Sequence, residues 1–271
     1  AFDFGSADNW LAQAKLHTPS GEFLCVGAAV SAPSANASPG TLLGSSTEGV
    51  TVQGSDGALT LTNLTTLEGE PVKEADLAIY GLIAGVTLPA LGAPLAEAAS
   101  NLDREVTKSE RFWIRRLQAL SVPRLHELKV HAPQGQTAKV DVPLAGALLA
   151  LPSESKHAML VAGLAVYAAR TNDEVATVDI PVCVTALSEE LGQLYSPTVP
   201  LSFEVDAQAT WQTVQNHASE ELQAATTRGT YARDVWMRYS ALRDKSSAER
   251  QMTIAVALNA SPTSLPAGVR L

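Results

Sequence analysis

The chain reads as an α/β protein in which a mixed β-sheet is covered by helices. Three observations predict this. From Pro94 onward, segments with helical hydrophobic periodicity alternate with short β-branched runs. The segment Ser153 to Arg170 is apolar nearly all round from Ala158, as a central helix requires. Val175 to Val184 and Thr198 to Val205 are uninterrupted enough to be buried strands.

The elements follow in order. Residues 1–72 differ from the rest and are read as an amino-terminal extension with a strand and a hairpin, packed on the lobe formed by residues 73–271. Glu22 to Val30 is a strand. Ser31 to Gly49, rich in Pro, Ser, Gly and Ala, is a loop or a disordered segment. Val50-Thr-Val52 and Leu59-Thr-Leu61 flank Gly54-Ser55-Asp56-Gly57, a hairpin signal. Leu95, Ala99, Leu102, Val106, Trp113, Leu117 and Leu120 fall on one helical face, in one long helix or two in series. Thr107-Lys-Ser-Glu110 has the form of a capping box, which would start the second. His126 to Val130 and Thr137 to Val142 alternate like strands. Trp211, Val214, Ala218, Leu222 and Ala225 mark an amphipathic helix. A short helix at Tyr231 to Tyr239 and a strand at Met252 to Leu258 close the series.

Composition narrows the function. Of 271 residues, 46% are apolar, enough for a sizeable core, and the formal charge of −9 opposes nucleic acid or an anionic membrane as the main partner. No apolar run reaches the roughly eighteen residues of a membrane span. The chain begins Ala1-Phe2-Asp3-Phe4 without Met, a basic n-region or a signal core, and so reads as a processed or excised piece. Cys25 and Cys183 lie in apolar strand-like runs and read as buried reduced thiols. Together these point to a cytoplasmic protein.

The chemistry-bearing patterns are mostly missing from the sequence. There is no HExxH, CxxC, GxSxG or Walker spacing, so neither a metal site nor a nucleophile elbow is expected. The histidines are His17, His126, His131, His157 and His217; His126 and His131, five apart on a strand, would point to opposite faces. Arg111, Arg115 and Arg116 share one side of a helix. Arg228, Arg233, Arg238 and Arg243 recur five apart. Both sets read either as solvated helix faces or as a docking surface for an acidic partner, with Arg111, Arg115, Arg116, Arg228 and Arg233 as its candidate residues.

Several segments, taken in order, resemble the condensation domains of nonribosomal peptide synthetases. Gly192-Gln-Leu-Tyr-Ser-Pro-Thr-Val-Pro-Leu-Ser-Phe-Glu-Val205 resembles the family's (I/V)GxFVNTxPLxxxV segment. Glu74 to Tyr80 resembles YxDFAVW, and Glu110-Arg-Phe-Trp-Ile-Arg-Arg-Leu117 resembles the (Y/F)WxxxL helix. Val161 to Arg170 is similar to the central helix ending in (A)RY, and Val175 to Val182 to the strand VVVGxPV. Gly229 to Val235 occupies the place of HQDxPFE without its signature residues. The likeness covers about two-thirds of the chain and belongs to the second lobe of the family.

The resemblance implies a chloramphenicol-acetyltransferase-like lobe. It also implies a missing catalyst, because the family's HHxxxDG motif has no counterpart: the chain contains no His-His pair. Thr51-Val-Gln-Gly-Ser-Asp-Gly57 carries an xxxDG tail with Thr and Val in the histidine positions; it is either a vestige or an ordinary hairpin, and neither side chain transfers a proton near neutral pH. The implied role is a non-catalytic, donor-side accessory domain packing on adenylation and peptidyl-carrier domains. Such a half-domain would stand ahead of the first adenylation domain in synthetases that join aminoadipate, cysteine and valine into the β-lactam precursor. The chain would then hold no cofactor itself, while its parent, a ligase, would use ATP with Mg and phosphopantetheine. Two alternatives stand beside it: an acyltransferase of the same fold with a displaced base at His17 or His217, and an unrelated α/β binding domain.

Overall fold

The computed structural model describes residues 9–121, 143, 145–171, 177–206, 208–243 and 256–258. The strands expected at His126 to Val130 and Thr137 to Val142, with His126 and His131, lie outside these residues, as does most of the expected last strand. The architecture is mixed α/β, with one antiparallel and one mixed sheet plus helices.

The chain divides into two compact units. The first takes the chain up to Asp103 together with Ser188–Leu194 and Arg233–Ser240; the second takes Arg104–Leu187, Tyr195–Ala232 and the chain from Ala241. The expected boundary at residue 72 lies within the first unit.

The first unit is built on β1 (Ala14–His17), β2 (Phe23–Ala32), β3 (Leu42–Ser46), β4 (Gly49–Gln53) and β5 (Ala58–Thr65). They lie in the order β1-β2-β5-β4-β3, every neighbouring pair antiparallel. The expected hairpin is present: Gln53 pairs with Ala58 across Gly54 to Gly57. The stretch expected as loop or disorder contains an ordered strand, β3. Leu42 is buried in a cluster with Leu16, Leu24, Val50, Leu64, Leu77 and Leu82, so one leucine in a Gly/Ser-rich sequence anchors the edge of the sheet.

Two backbone approaches shape this sheet. At Gly49, which opens β4, an added Cβ would sit 1.9 Å from the Leu61 carbonyl oxygen. In β5, Asn63 takes the left-handed conformation, with φ of 53°. Gly27 on β2 lies opposite, where a Cβ would be 2.8 Å from the Asn63 Cβ. The absent side chain at Gly27 leaves room for this irregularity inside the ladder.

This unit also contains 3₁₀ turns at Trp10–Ala12 and Glu74–Asp76, the short helices α4 (Glu189–Leu194) and α6 (Val235–Arg238), and the start of a long helix that begins at Ala93. Helix α4 presents Gln193, whose Oε1 accepts the Phe23 N–H at 2.9 Å and whose Nε2 donates to the Gly21 carbonyl at 3.1 Å. One amide side chain thereby satisfies backbone groups at the start of β2.

Helix α1 (Ala93–Gln118) is continuous, so Thr107 to Glu110 does not start a second helix. The apolar stripe passes unbroken through the capping-box sequence, with Val106, Trp113, Ile114 and Leu117 buried, and tertiary packing overrides the local signal. The same helix spans the division between the units at Asp103 and Arg104.

The second unit also contains α2 (Gly146–Leu149), α3 (Ser153–Thr171), β6 (Thr177–Cys183), β7 (Val199–Glu204), α5 (Trp211–Arg228), most of α7 (Ser240–Arg243) and β8 (Val256–Ala257). Its sheet runs β7-β6-β8, with β6 antiparallel to β7 and parallel to β8. Helix α3 packs on β6 and α5, and α5 packs on β7. The small buried residues Ala158, Ala162, Ala165 and Ala168 let α3 approach closely. Helix α5 starts where Thr210 accepts the Thr213 N–H at 3.2 Å, and it ends at Gly229, with φ of 63°. Among the described residues, no helix is long and apolar enough to cross a membrane.

Candidate functional site

The candidate arginines meet different fates. Arg111 and Arg115 are exposed on α1. Arg116, one residue on, turns inward and forms a bidentate pair with Glu221 of α5; its Nη2 donates to Glu221 Oε1 at 3.0 Å and its Nη1 to Oε2. The side chains are only 18% and 12% exposed, so Arg116 is committed inside the unit. Arg228 donates to the Ala224 carbonyl at 2.9 Å near the end of α5, and its guanidinium lies 4.1 Å from the Phe112 ring centroid. The Arg116 guanidinium lies over the same ring at 5.0 Å.

Arg233 belongs to the other compact unit, where it faces Glu68 at 3.5 Å and donates to the Gln193 carbonyl at 3.2 Å. Arg238 pairs with Asp234 at 3.1 Å. Of the five candidates, Arg111, Arg115, Arg116 and Arg228 share a unit, and the first two turn their charge to solvent.

Around Arg116 the second unit assembles a buried polar network. Glu221 Oε2 also accepts the Ser202 N–H of β7 at 2.9 Å. Ser202 pairs across the ladder with Asp179 of β6, a residue 2% exposed. Asp179 donates its N–H to the Ser121 carbonyl at 2.9 Å and accepts the Ser121 N–H on Oδ2. This reciprocal clamp ties the chain leaving α1 to the central strand. Burial pushes the Asp179 carboxyl up, with the Ser121 N–H, the Ser202 side chain and the Arg116 charge opposing and Glu221 adding to the rise.

Arg116 and Glu221 are directed at each other and at backbone groups of β7. Asp179 holds Ser121 through Oδ2, while its Oδ1 is buried without a hydrogen-bond partner among the described residues. The network is a latch between α1, β6, β7 and α5. Neither Asp179 nor Glu221 was singled out in the sequence. A signal existed for the first: a single carboxylate within the apolar run Val175 to Val184 demands a buried partner.

Segment Gly229 to Val235, where the resemblance would put the HQDxPFE motif, is held by both backbone and side-chain contacts. Tyr231 is buried with its ring centroid 6.0 Å from that of Trp113. Its carbonyl accepts the Ser196 N–H at 2.9 Å, and Thr230 Oγ1 donates to the Ser196 carbonyl.

The remaining histidines and thiols are dispersed. His17 stacks on Phe23 at 4.9 Å with neither ring nitrogen hydrogen-bonded, whereas His217 sits 5.6 Å from Phe203 in the other unit. Cys25 is buried and Cys183 half-buried; neither is in a disulfide, and burial pushes both thiols up, away from the reactive thiolate. Among the described residues no group of three or more His, Cys, Asp or Glu is placed to hold a metal ion. Comparison with protein-family models, with curated proteins and with solved structures finds no match to this chain.

Proposed function

We propose that this chain is a non-catalytic, condensation-like accessory module of a nonribosomal peptide synthetase, built on a chloramphenicol-acetyltransferase-like lobe. The observation that carries the reading is the succession in the second unit of helix α3, buried strand β6, antiparallel strand β7, helix α5 and a strand, β8, parallel to β6. Four of the six segments quoted for the resemblance fall on α1, α3, β6 and β7 in the family's order; Glu74 to Tyr80 falls on the 3₁₀ turn of the first unit, and Gly229 to Val235 on the chain that joins α5 to α6. The HHxxxDG position is empty of histidine, and the Thr51 to Gly57 segment is an ordinary β4–β5 hairpin.

Such a module acts by packing on the neighbouring adenylation and carrier domains, donor-side, in the cytoplasm. The parent to which the reading points is the synthetase of the aminoadipyl-cysteinyl-valine tripeptide. Exposed Arg111 and Arg115 are its candidate contacts to the acidic carrier partner and the phosphopantetheine that partner bears. ATP with Mg would be bound by the parent's adenylation domains.

Deleting the module from its parent synthetase provides the test. The expected result is a parent with reduced solubility or reduced loading of its first amino acid, measured by amino-acid-dependent pyrophosphate exchange. A truncated parent with unchanged yield and exchange rate would overturn the proposal.

A further inference from the structure

Helix α3 leaves one face bare. Its inner face buries Ala158, Val161, Ala162, Ala165 and Ala168, whereas Leu160 is 39% exposed and Tyr167, two turns on, 57%. Gly163 lies between them. Trp211, the first residue of α5, is 45% exposed, and its ring edge lies 3.9 Å from where a Cβ of Gly163 would be. Leu160, Tyr167 and Trp211 therefore form one apolar surface around a glycine. Exposed large apolar groups that cluster mark interaction sites, and Trp and Tyr are the residues that dominate binding energy at such sites. With no side chain at Gly163, the edge of the Trp211 ring closes against α3 there and completes the apolar face.

Charge selects the occupant. At 100° per residue, Lys156 and Arg170 fall on the same side of α3 as Leu160, Gly163 and Tyr167, one beyond each end of the apolar stretch. Among the described residues neither forms an ion pair. The chain as a whole carries −9, so two cations bracketing an apolar strip contrast with its general surface.

A second copy of the chain fits poorly. Antiparallel two-fold pairing about Gly163 would set Lys156 of one copy against Arg170 of the other at both ends, and like charges facing each other oppose association. An anionic bilayer is opposed by the net charge.

We propose that the face formed by Leu160, Gly163, Tyr167 and Trp211 docks an acidic amphipathic helix of a partner protein, with Lys156 and Arg170 reading carboxylates about 21 Å apart along that helix. The proposal does not rest on the condensation reading.

The test is fluorescence anisotropy with a labelled, hydrocarbon-stapled helical peptide. It carries an i, i+4, i+7 apolar stripe with Glu beyond each end, and a twin has Lys in place of Glu. The acidic peptide is expected to bind at least about tenfold tighter than its twin, a preference that falls with added salt. Lys156→Glu with Arg170→Glu reverses the preference, and Tyr167→Ser weakens binding of both peptides. Near-UV circular dichroism on each variant verifies that the fold is kept. The proposal is overturned by equal affinity for the two peptides, by no binding of either, or by a preference unchanged in the charge-reversed protein. It is equally overturned if Tyr167→Ser abolishes self-association or binding to phosphatidylserine vesicles and leaves peptide binding unaltered.

Discussion

The antiparallel sheet of the first unit and the helix-covered sheet of the second are held in order by different means. In the first, backbone geometry dominates. The β4–β5 hairpin joins residues close in sequence, Gly49 meets the Leu61 carbonyl, and Gly27 makes room for left-handed Asn63. In the second, side chains far apart in sequence set the arrangement: Arg116 reaches Glu221, Ser121 clamps Asp179, and Trp113 meets Tyr231. A local ladder tolerates changes of side chain but not an added atom at a glycine. A non-local latch behaves in the opposite way, since its charges were desolvated for each other.

The largest expected effect breaks the first arrangement. Gly49→Ala places a methyl where only 1.9 Å separates it from a carbonyl oxygen, in a backbone conformation that L-residues avoid. A loss of about 3 kcal/mol is expected in urea unfolding followed by circular dichroism. A loss below about 0.5 kcal/mol would mean that the β3–β4 turn yields readily, and the contrast between the units would fail.

Next comes the latch. Arg116→Ala strands the Glu221 carboxylate and is expected to cost about 2–3 kcal/mol, somewhat below the range for fully buried pairs because both side chains keep some exposure. Arg116→Met with Glu221→Met removes both charges and should recover most of that loss. If the double variant is as unstable as the single one, the network contributes more than mutual neutralisation.

The last prediction is one of slope. Because burial raises the Asp179 carboxyl in the folded state, folding favours its neutral form. The stability this contributes is complete below the unfolded value of about 3.9 and is lost as pH rises through the folded value. Asp179→Asn removes this dependence. The variant should therefore match the parent near pH 4 and gain on it as pH rises toward neutrality, read as urea midpoints across that range. A difference that is flat with pH, or that grows toward acid, would show that Asp179 is charged without penalty.

Much of the second unit was legible in the sequence. The β-branched run of β6 announces a strand buried on both sides, and that is what the structure holds. The nearly all-apolar course of α3 announces a helix, but the helix is not a central one, because only its Ala158, Val161, Ala162, Ala165 and Ala168 face is buried while Leu160 and Tyr167 stay exposed. In the first unit the hairpin was legible and β3 was not. Leu42-Leu-Gly-Ser-Ser46 has neither alternation nor β-branched content, and it becomes a strand because Leu42 finds a core and its backbone finds β4. The capping-box sequence Thr107 to Glu110 misled for a related reason: a local signal offered a start, and a continuous buried stripe outweighed it.

The arginines make the same point for the site. Helical spacing groups Arg111, Arg115 and Arg116 on one side of a helix, yet only the first two remain exposed. Whether a guanidinium faces solvent depends on the carboxylate that another element brings to it, here Glu221, 105 residues away.

The sequence by itself determined the succession of apolar helices and strands, the absence of a His-His pair and the acidic balance, because each is a property of composition or of neighbouring residues. Only the tertiary structure decided which of those elements form which unit, which cations are consumed internally, and that Leu160, Tyr167 and Trp211 meet around Gly163. Those outcomes depend on contacts between residues distant along the chain, and hydrophobic periodicity carries no information about partners at that separation.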